Sequence, residues 1–217
     1  MIASREEIRS DQEARAPDPL VLAFDLAATV LFALEGATLG VAAHLDLLGV
    51  LVVGFATALG GGIIRDILLD AGQPAALRYK RYAIAAFVGG FIVFLFSDEI
   101  REIPTGTLVA LDAAGLSAYA VSGAAKSIDF GTNTLTAILL GGVTAVGGGV
   151  IRDVLVNKTP IVLVADFYAT AALIGAAVMV FGVRSKQPML RMMWIGAATC
   201  FTLRMLGYWN DWNLPHF

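Results

Sequence analysis

Gly60-Gly61-Gly62-Ile63-Ile64-Arg65-Asp66 recurs in this 217-residue chain as Gly147-Gly148-Gly149-Val150-Ile151-Arg152-Asp153, identical at six of seven positions and offset by 87. Outward from the motif the register holds. Asp25 matches Asp112, Ala33 matches Ala120, Gly36 matches Gly123 and Leu48 matches Leu135 at the same offset of 87. Gly54 matches Gly141, Thr57 matches Thr144 and Leu68 matches Leu155. After one gap, Tyr82-Ala83 aligns with Tyr168-Ala169 and Gly89 with Gly175. Residues 20–97 and 106–183 therefore read as two copies of one unit, flanked by a polar segment 1–19 and a last apolar stretch 188–209.

The material around the motif is strongly apolar. Hydrophobic residues make up 58% of the chain, charged residues 15%, and mean hydropathy is +0.76. Ordinary soluble domains hold about 45–50% apolar and about 25% charged residues. Disorder is excluded by the apolar content, and a net charge of −3 gives no reason to expect a nucleic-acid partner. A membrane-crossing helix needs about 20 largely apolar residues. Seven stretches qualify: Leu20–Gly40, Leu47–Leu69, Tyr82–Ser97, Gly106–Ala125, Asn133–Val156, Pro160–Val183 and Pro188–Trp209. The expected fold is an all-α integral membrane protein with seven transmembrane helices. A soluble α/β fold with GGGIIRD as a phosphate loop fails, because the charge-free runs Leu47–Ile64 and Phe130–Ile151 far exceed strands of 4–8 residues.

Each copy holds three spans, so the second must enter the membrane upside down, giving inverted repeats related by a pseudo-two-fold axis in the membrane plane. The seventh helix has no counterpart. Orientation follows from basic residues near the span ends. Ten Lys and Arg fall on the side of the N-terminus, the 71–81 loop, Lys126, Arg184, Lys186 and Arg191, against Arg101 and Lys158 opposite. The N-terminus is expected in the cytoplasm and the C-terminus outside. The segment 1–19 reads as a poor signal peptide, since it lacks a net-basic start and the apolar run after it is interrupted by Asp25.

Inverted repeats place a substrate or ion pathway at their interface, lined by helices broken near mid-membrane. Gly60–Gly62 lies about 20 Å along the second span at 1.5 Å per residue, and Gly147–Gly149 lies at a similar depth along the fifth. Two readings of the triplets stand side by side. Broken helices would present free carbonyls able to replace part of a cation's hydration shell. Alternatively, Gly54, Ala58 and Gly62, like Gly141, Ala145 and Gly149, form small-residue ladders that let helices pack closely.

Charges inside spans call for partners or water. They are Asp25, Glu35, Arg65, Asp66, Asp112, Arg152, Asp153, Asp166 and Arg204, with Lys126 at a helix end. Depth pairs Asp25 with Arg65 and Asp112 with Arg152 as two equivalent bridges. Arg65 and Asp66, being adjacent, are not expected to face each other. Asp66 and Asp153 either contact ions or cap the helix resuming after the glycines. Ser122 stands where the repeat would echo Glu35, making Glu35 a source of pathway asymmetry or a residue reaching the outer interface. Lys126 is a pore cation or a snorkelling one, and Arg204 is read as snorkelling. His44 and His216 have no ligand pattern around them, and the single Cys200 forbids an internal disulfide. No catalytic set, metal or cofactor is expected.

Two copies of a three-helix unit, each with Gly-Gly-Gly-x-Ile-Arg-Asp, plus a seventh helix, resemble the bacterial relatives of the trimeric intracellular cation (TRIC) channels, a group also labelled a glycine-transporter family. The resemblance covers residues 20–208. It implies a homotrimer in the bacterial inner membrane, contacting lipid, with a separate pore in each protomer and kinks at the triplets of the second and fifth helices. By motif it carries over Gly60, Gly61, Gly62, Gly147, Gly148, Gly149, Arg65, Asp66, Arg152 and Asp153. The Lys-Glu-Val signature of the animal members is absent. The function expected is a monovalent cation (K⁺) channel, with Asp25 and Asp112 making its mouths negative and Glu35 and Lys126 on the pathway. The alternative is a secondary transporter of glycine or another small amino acid.

Overall fold

Asp46 and Asn133 occupy equivalent places 87 residues apart, and each starts a long helix in the same way. The Asp46 carboxylate accepts the Gly49 N–H at 2.8 Å, and the Asn133 side-chain oxygen accepts the Thr136 N–H at 2.9 Å. Each satisfies one of the free donors of a first helical turn. The far ends of these helices match too. The Ala71 N–H reaches the Asp66 carbonyl at 3.0 Å and the Lys158 N–H reaches the Asp153 carbonyl at 2.8 Å, with Asp70 and Asn157 in left-handed conformation at φ 51° and 54°. Asp and Asn are the non-glycine residues that accept this conformation most readily. The duplicated sequence thus carries duplicated starts and stops.

The computed structural model describes residues 19–96, 103–164, 167–210 and 212. Among them it is helical without strands. Helix α1 spans Pro19–Ala42, α2 Leu47–Leu68, the short α3 Ala75–Arg78, and α4 Lys80–Leu95. Then follow α5 Thr105–Asp129, α6 Thr134–Leu155, the short α7 Ile161–Val164, α8 Ala169–Arg184 and α9 Met189–Trp209. Four of them, α1, α2, α5 and α6, are long and apolar enough to cross a membrane. The polar segment before Pro19, together with Arg101, Asp166 and His216, lies outside the described residues.

Two of the expected spans are shaped differently. The stretch expected as one helix over Pro160–Val183 is divided into α7 and α8, and α4 is likewise preceded by α3. A side chain holds each short helix in place. The Asp66 carboxylate accepts the Ala75 N–H and the Asp153 carboxylate accepts the Ile161 N–H, both at 2.8 Å. Pro74 and Pro160 stand immediately before these residues, where a missing N–H is no loss.

The centre is a four-helix arrangement. Helix α1 packs on α2 and α5, α5 on α6, and α2 on α6, while α4, α8 and α9 cover the outside. Small residues set these approaches. A Cβ on Gly36 would stand 2.7 Å from the Thr57 Cβ, and one on Gly123 would stand 2.7 Å from the Thr144 Cβ. The ladder residue Gly54 would meet the Ala33 carbonyl at 3.1 Å, and Gly141 would meet the Ala120 carbonyl at 2.6 Å. Leucine, phenylalanine and isoleucine side chains point outward from α4, with Ile84, Phe87, Phe91 and Leu95 about half exposed. An apolar exterior of this kind suits lipid rather than water.

The expected break at the glycines is absent. Helix α2 runs uninterrupted through Gly60–Gly62 and α6 through Gly147–Gly149. Each mid-helix glycine costs about 1 kcal/mol relative to alanine. Contact between the two helices offsets that cost. A Cβ on Gly61 would collide with the Thr144 carbonyl, and one on Gly148 with the Thr57 carbonyl. The two triplets cross backbone against backbone, so the packing reading accounts for their central residues. The third glycines differ. A Cβ on Gly62 would meet nothing nearer than an Arg65 nitrogen at 3.7 Å, and one on Gly149 nothing nearer than the Tyr168 hydroxyl at 3.4 Å.

Candidate functional site

Two clusters of buried charge flank the α2–α6 crossing, each built on the Arg-Asp pair that follows a glycine triplet. In the first, Arg65 of α2 reaches Asp25 of α1 as a fork: Nη1 donates to Oδ1 at 2.9 Å and Nη2 to Oδ2 at 3.2 Å. Paired parallel bonds of this kind are the strong form of the arginine–carboxylate contact. Asp25 accepts two more bonds, from the Tyr82 hydroxyl of α4 at 3.0 Å and from the Ser122 hydroxyl of α5 at 2.8 Å. Both its oxygens are therefore doubly used, as a carboxylate withdrawn from water requires.

Arg65 also turns back on its own neighbour, donating from Nε to Asp66 Oδ1 at 2.8 Å. The expectation that adjacent residues stay apart fails here because the guanidinium stem is long enough to curl over one residue. Lys126 of α5 donates to the same Asp66 oxygen at 2.8 Å, with a side chain only 20% exposed. Lys126 is thus ion-paired inside the protein, not snorkelling. Asp66, expected to cap the resuming half of its own helix, instead accepts the first N–H of α3. Beside the cluster lies a small cavity of about 10 Å³, room for about one water molecule, lined by Asp25, Leu59, Gly62, Arg65, Tyr82 and Tyr119, among others. Tyr119 bonds the Ala58 carbonyl and stands 3.0 Å from the Thr29 hydroxyl, tying α5 to both α2 and α1.

The second cluster repeats the plan with two changes. Arg152 donates from Nε to Asp153 Oδ1 at 2.9 Å, as Arg65 does to Asp66. Its Nη1 bonds Glu35 of α1, not Asp112. The expected Asp112–Arg152 bridge is therefore replaced. The longer glutamate arises from α1 at the place that Ser122 holds in the repeat, and it reaches the guanidinium first. Glu35 is buried and does not extend to an outer interface. Asp112 accepts the Tyr168 hydroxyl at 2.8 Å, the counterpart of Tyr82 on Asp25.

The other change is Arg204. It is 5% exposed, lies in α9, and sets Nε 3.7 Å from Asp112 Oδ2 with its guanidinium 5.1 Å from the centre of the Tyr168 ring. The snorkelling expected of it is overturned, because the packing of α9 on α5 brings it onto a buried carboxylate. Glu35 Oε2, Asp112 Oδ2 and Arg204 Nε find no hydrogen-bond partner among the described residues.

The structure thus gathers Asp25, Arg65, Asp66 and Lys126 in one cluster and Glu35, Asp112, Arg152 and Asp153 in the other, with the six glycines between. Sequence reasoning did not single out Tyr82, Tyr168, Tyr119 and Ser122. The tyrosines had a usable signal, since Tyr82 and Tyr168 fall in matching places in the two repeats. Ser122 had none beyond being the residue opposite Glu35.

Comparison with known proteins gives a consistent family. The profile of a family described as glycine transporter matches residues 22–98 and 109–184. A membrane protein of Streptomyces coelicolor is 48% identical over 200 residues, covering 92% of this chain and 91% of its own. The inner membrane protein YadS of Escherichia coli is 37% identical over 159 residues, covering 73% and 77%. Among solved structures, one bearing on conductance through TRIC cation channels aligns with TM-score 0.83 at 39% identity, over 90% of this chain and 96% of that one. The trimeric intracellular cation channel orthologue of Rhodobacter sphaeroides aligns with TM-score 0.83 at 31% identity, over 89% and 100%.

Proposed function

The chain belongs to the glycine transporter family, the bacterial relatives of the trimeric intracellular cation channels, and from that premise we propose that it is a channel for small monovalent cations, chiefly K⁺. The observation that carries this reading is the likeness to a TRIC cation channel over 90% of the chain, together with the two charge clusters that occupy the interior. In this reading the two three-helix units are inverted repeats and all seven longer helices cross the membrane. The pathway runs through each protomer between the repeats. Asp25 marks the cytoplasmic mouth and Asp112 the outer one, with the α2–α6 glycine crossing as the constriction.

The cavity at Gly62 then serves as the vestibule on the cytoplasmic side. Lys126 is the cation that closes it, held by Asp66. The protein assembles as a homotrimer in the bacterial inner membrane, surrounded by lipid, with its N-terminus in the cytoplasm and its C-terminus outside. Several lines support this setting: the inner membrane relative in Escherichia coli, the trimeric orthologue, and the basic residues gathered on one side. No catalytic role is proposed for any residue.

Purified protein in a planar bilayer tests the proposal. Unitary K⁺ currents are the expected result. The family's own description supplies the competing reading, transport of glycine. Silence in the bilayer combined with saturable glycine uptake into proteoliposomes would overturn the channel and establish the transporter.

A further inference from the structure

The two clusters differ by one charge. Around Arg65 the described ionisable side chains are Asp25 and Asp66 against Arg65 and Lys126, which balance. Around Arg152 they are Glu35, Asp112 and Asp153 against Arg152 and Arg204, which leave one negative charge in excess. The excess arises because Glu35 stands where the first cluster has Ser122, whose hydroxyl donates to Asp25 at 2.8 Å. A hydroxyl brings a proton to its carboxylate, whereas an ionised glutamate brings none.

The hydrogen bonds show where the missing proton belongs. Glu35 Oε1 is taken by Arg152, Asp112 Oδ1 by Tyr168, and both oxygens of Asp153 by Arg152 and the Ile161 N–H. The remaining oxygens, Glu35 Oε2 and Asp112 Oδ2, are buried and have no hydrogen-bond partner among the described residues, the second standing 3.7 Å from Arg204 Nε. Their residues are 7% and 5% exposed, and the groups that hold their other oxygens, Arg152 and the Tyr168 hydroxyl, converge on one point, 3.7 and 3.4 Å from where a Cβ on Gly149 would stand. An uncompensated buried charge costs several kcal/mol, and such a site takes up a proton instead of remaining charged.

We propose that Glu35 and Asp112 form a proton-binding site, holding one shared proton between Glu35 Oε2 and Asp112 Oδ2 at neutral pH. The proton does in the second cluster what the Ser122 hydroxyl does in the first. It converts two facing acceptors into a donor and an acceptor and brings the cluster to neutrality. Among the described residues, the other charged and titratable groups around the pair are Arg152 and Asp153 of α6, Tyr168 ahead of α8, and Arg204 and Cys200 of α9. Two of these are permanent cations already engaged with carboxylates. A guanidinium at 3.7 Å from Asp112 Oδ2 leaves a metal cation less welcome there than a proton. Because the pair joins α1 to α5, loss of the proton places a net negative charge between the two helices.

Infrared spectroscopy of the full chain reconstituted in lipid at pH 7 tests this, independently of any transport activity. The expected spectrum contains one protonated-carboxyl C=O band. That band is lost in Glu35→Gln and in Asp112→Asn, and is retained in Asp25→Asn. In unsubstituted protein it shifts when the carboxyl groups of glutamate or of aspartate carry carbon-13, so the result stands even if a variant fails to fold. The absence of an acid band at pH 7, or a band that survives both substitutions, overturns the proposal. So does a pair of ionised carboxylates whose bands move when K⁺ is exchanged for a large organic cation at constant pH, because the site would then hold a metal cation.

Discussion

Arg152 takes its carboxylate from Glu35, 117 positions away on α1, whereas its repeat counterpart Arg65 takes Asp25. The same guanidinium in the same motif therefore leans on two different parts of one helix. Asp25 is consequently indispensable to its cluster, while Asp112, the residue that repeats it, leaves the arginine of its motif to Glu35 and pairs only with Arg204, at 3.7 Å.

The two aspartates should accordingly respond very differently to neutralisation. Asp25→Asn leaves Arg65 and Lys126 facing Asp66 alone, a buried cluster with one cation in excess. Removing one partner of a buried pair costs about 3–5 kcal/mol. Asp112→Asn leaves Glu35 free to ionise against Arg152, so its cluster stays balanced, and Arg204 trades a carboxylate at 3.7 Å for an amide oxygen, so the loss should be smaller, about 1–2 kcal/mol. Thermal unfolding of the reconstituted variants reads the difference, and equal losses would contradict the assignment of partners.

The glycine triplets divide by position. Gly61→Ala and Gly148→Ala would drive a methyl group into the Thr144 and Thr57 carbonyls, backbone that cannot move aside. Overpacking costs about 1–3 kcal/mol even where side chains can adjust, so both variants should lose stability by at least that amount. Gly62→Ala has room, with its nearest neighbour 3.7 Å away, yet it adds a methyl group to the wall of the cavity beside Asp25. It should fold normally and carry less current. Parallel measurements of melting and of conductance separate the two classes.

What could be read in the sequence was whatever the duplication recorded twice. The bounds of α2 and α6, the Asp25–Arg65 bridge and the glycine ladders all follow from spacing and small residues. Spacing could not report which of two carboxylates, one on α1 and one on α5, reaches a guanidinium first. Glu35 wins over Asp112 by side-chain length and by the α1–α6 approach, both properties of the assembled bundle. Arg204 was misread for a related reason. It lies near the end of an apolar helix, where snorkelling is the ordinary outcome, and only the packing of α9 on α5 turns it inward. The continuity of α2 and α6 was hidden as well, because three consecutive glycines permit a break but do not require one.

Lys126 should act on conduction more than on folding. Its ammonium is partly exposed and Asp66 keeps two other donors, Arg65 and the Ala75 N–H. Lys126→Gln, which keeps a donor for Asp66 but leaves the cluster one negative charge in excess at its more open side, therefore costs less than losing a fully buried partner, about 1–2 kcal/mol. At water's dielectric constant, removing a positive charge about 8 Å from a permeating cation lowers its energy by about 0.5 kcal/mol, worth about two-fold in K⁺ current. A larger gain is expected if the lysine itself closes the path. Unitary conductance and open probability of the variant in a planar bilayer give the answer, and a decrease in both would remove Lys126 from the pathway.

Arg204 gives a test in which burial and surface exposure lead to opposite results. A snorkelling arginine could be replaced by glutamine at almost no cost. A buried one that stands over the Tyr168 ring and within 3.7 Å of Asp112 cannot. Arg204→Gln removes one of the two cations from a cluster that holds three carboxyl groups, so it should lose about 3 kcal/mol at pH 7, as when one member of a buried pair is deleted. The sign of its pH dependence follows from the charge left behind. The variant cluster has one negative charge too many, and a proton taken up by Glu35 or Asp112 cancels it. Acidification should thus restore much of the lost stability, and the gap between the variant and the unsubstituted protein should widen as pH rises. Melting curves of both proteins in lipid from pH 5 to pH 8 measure this. A gap that is constant across the range would mean that Arg204 contributes packing alone and that its charge is balanced elsewhere.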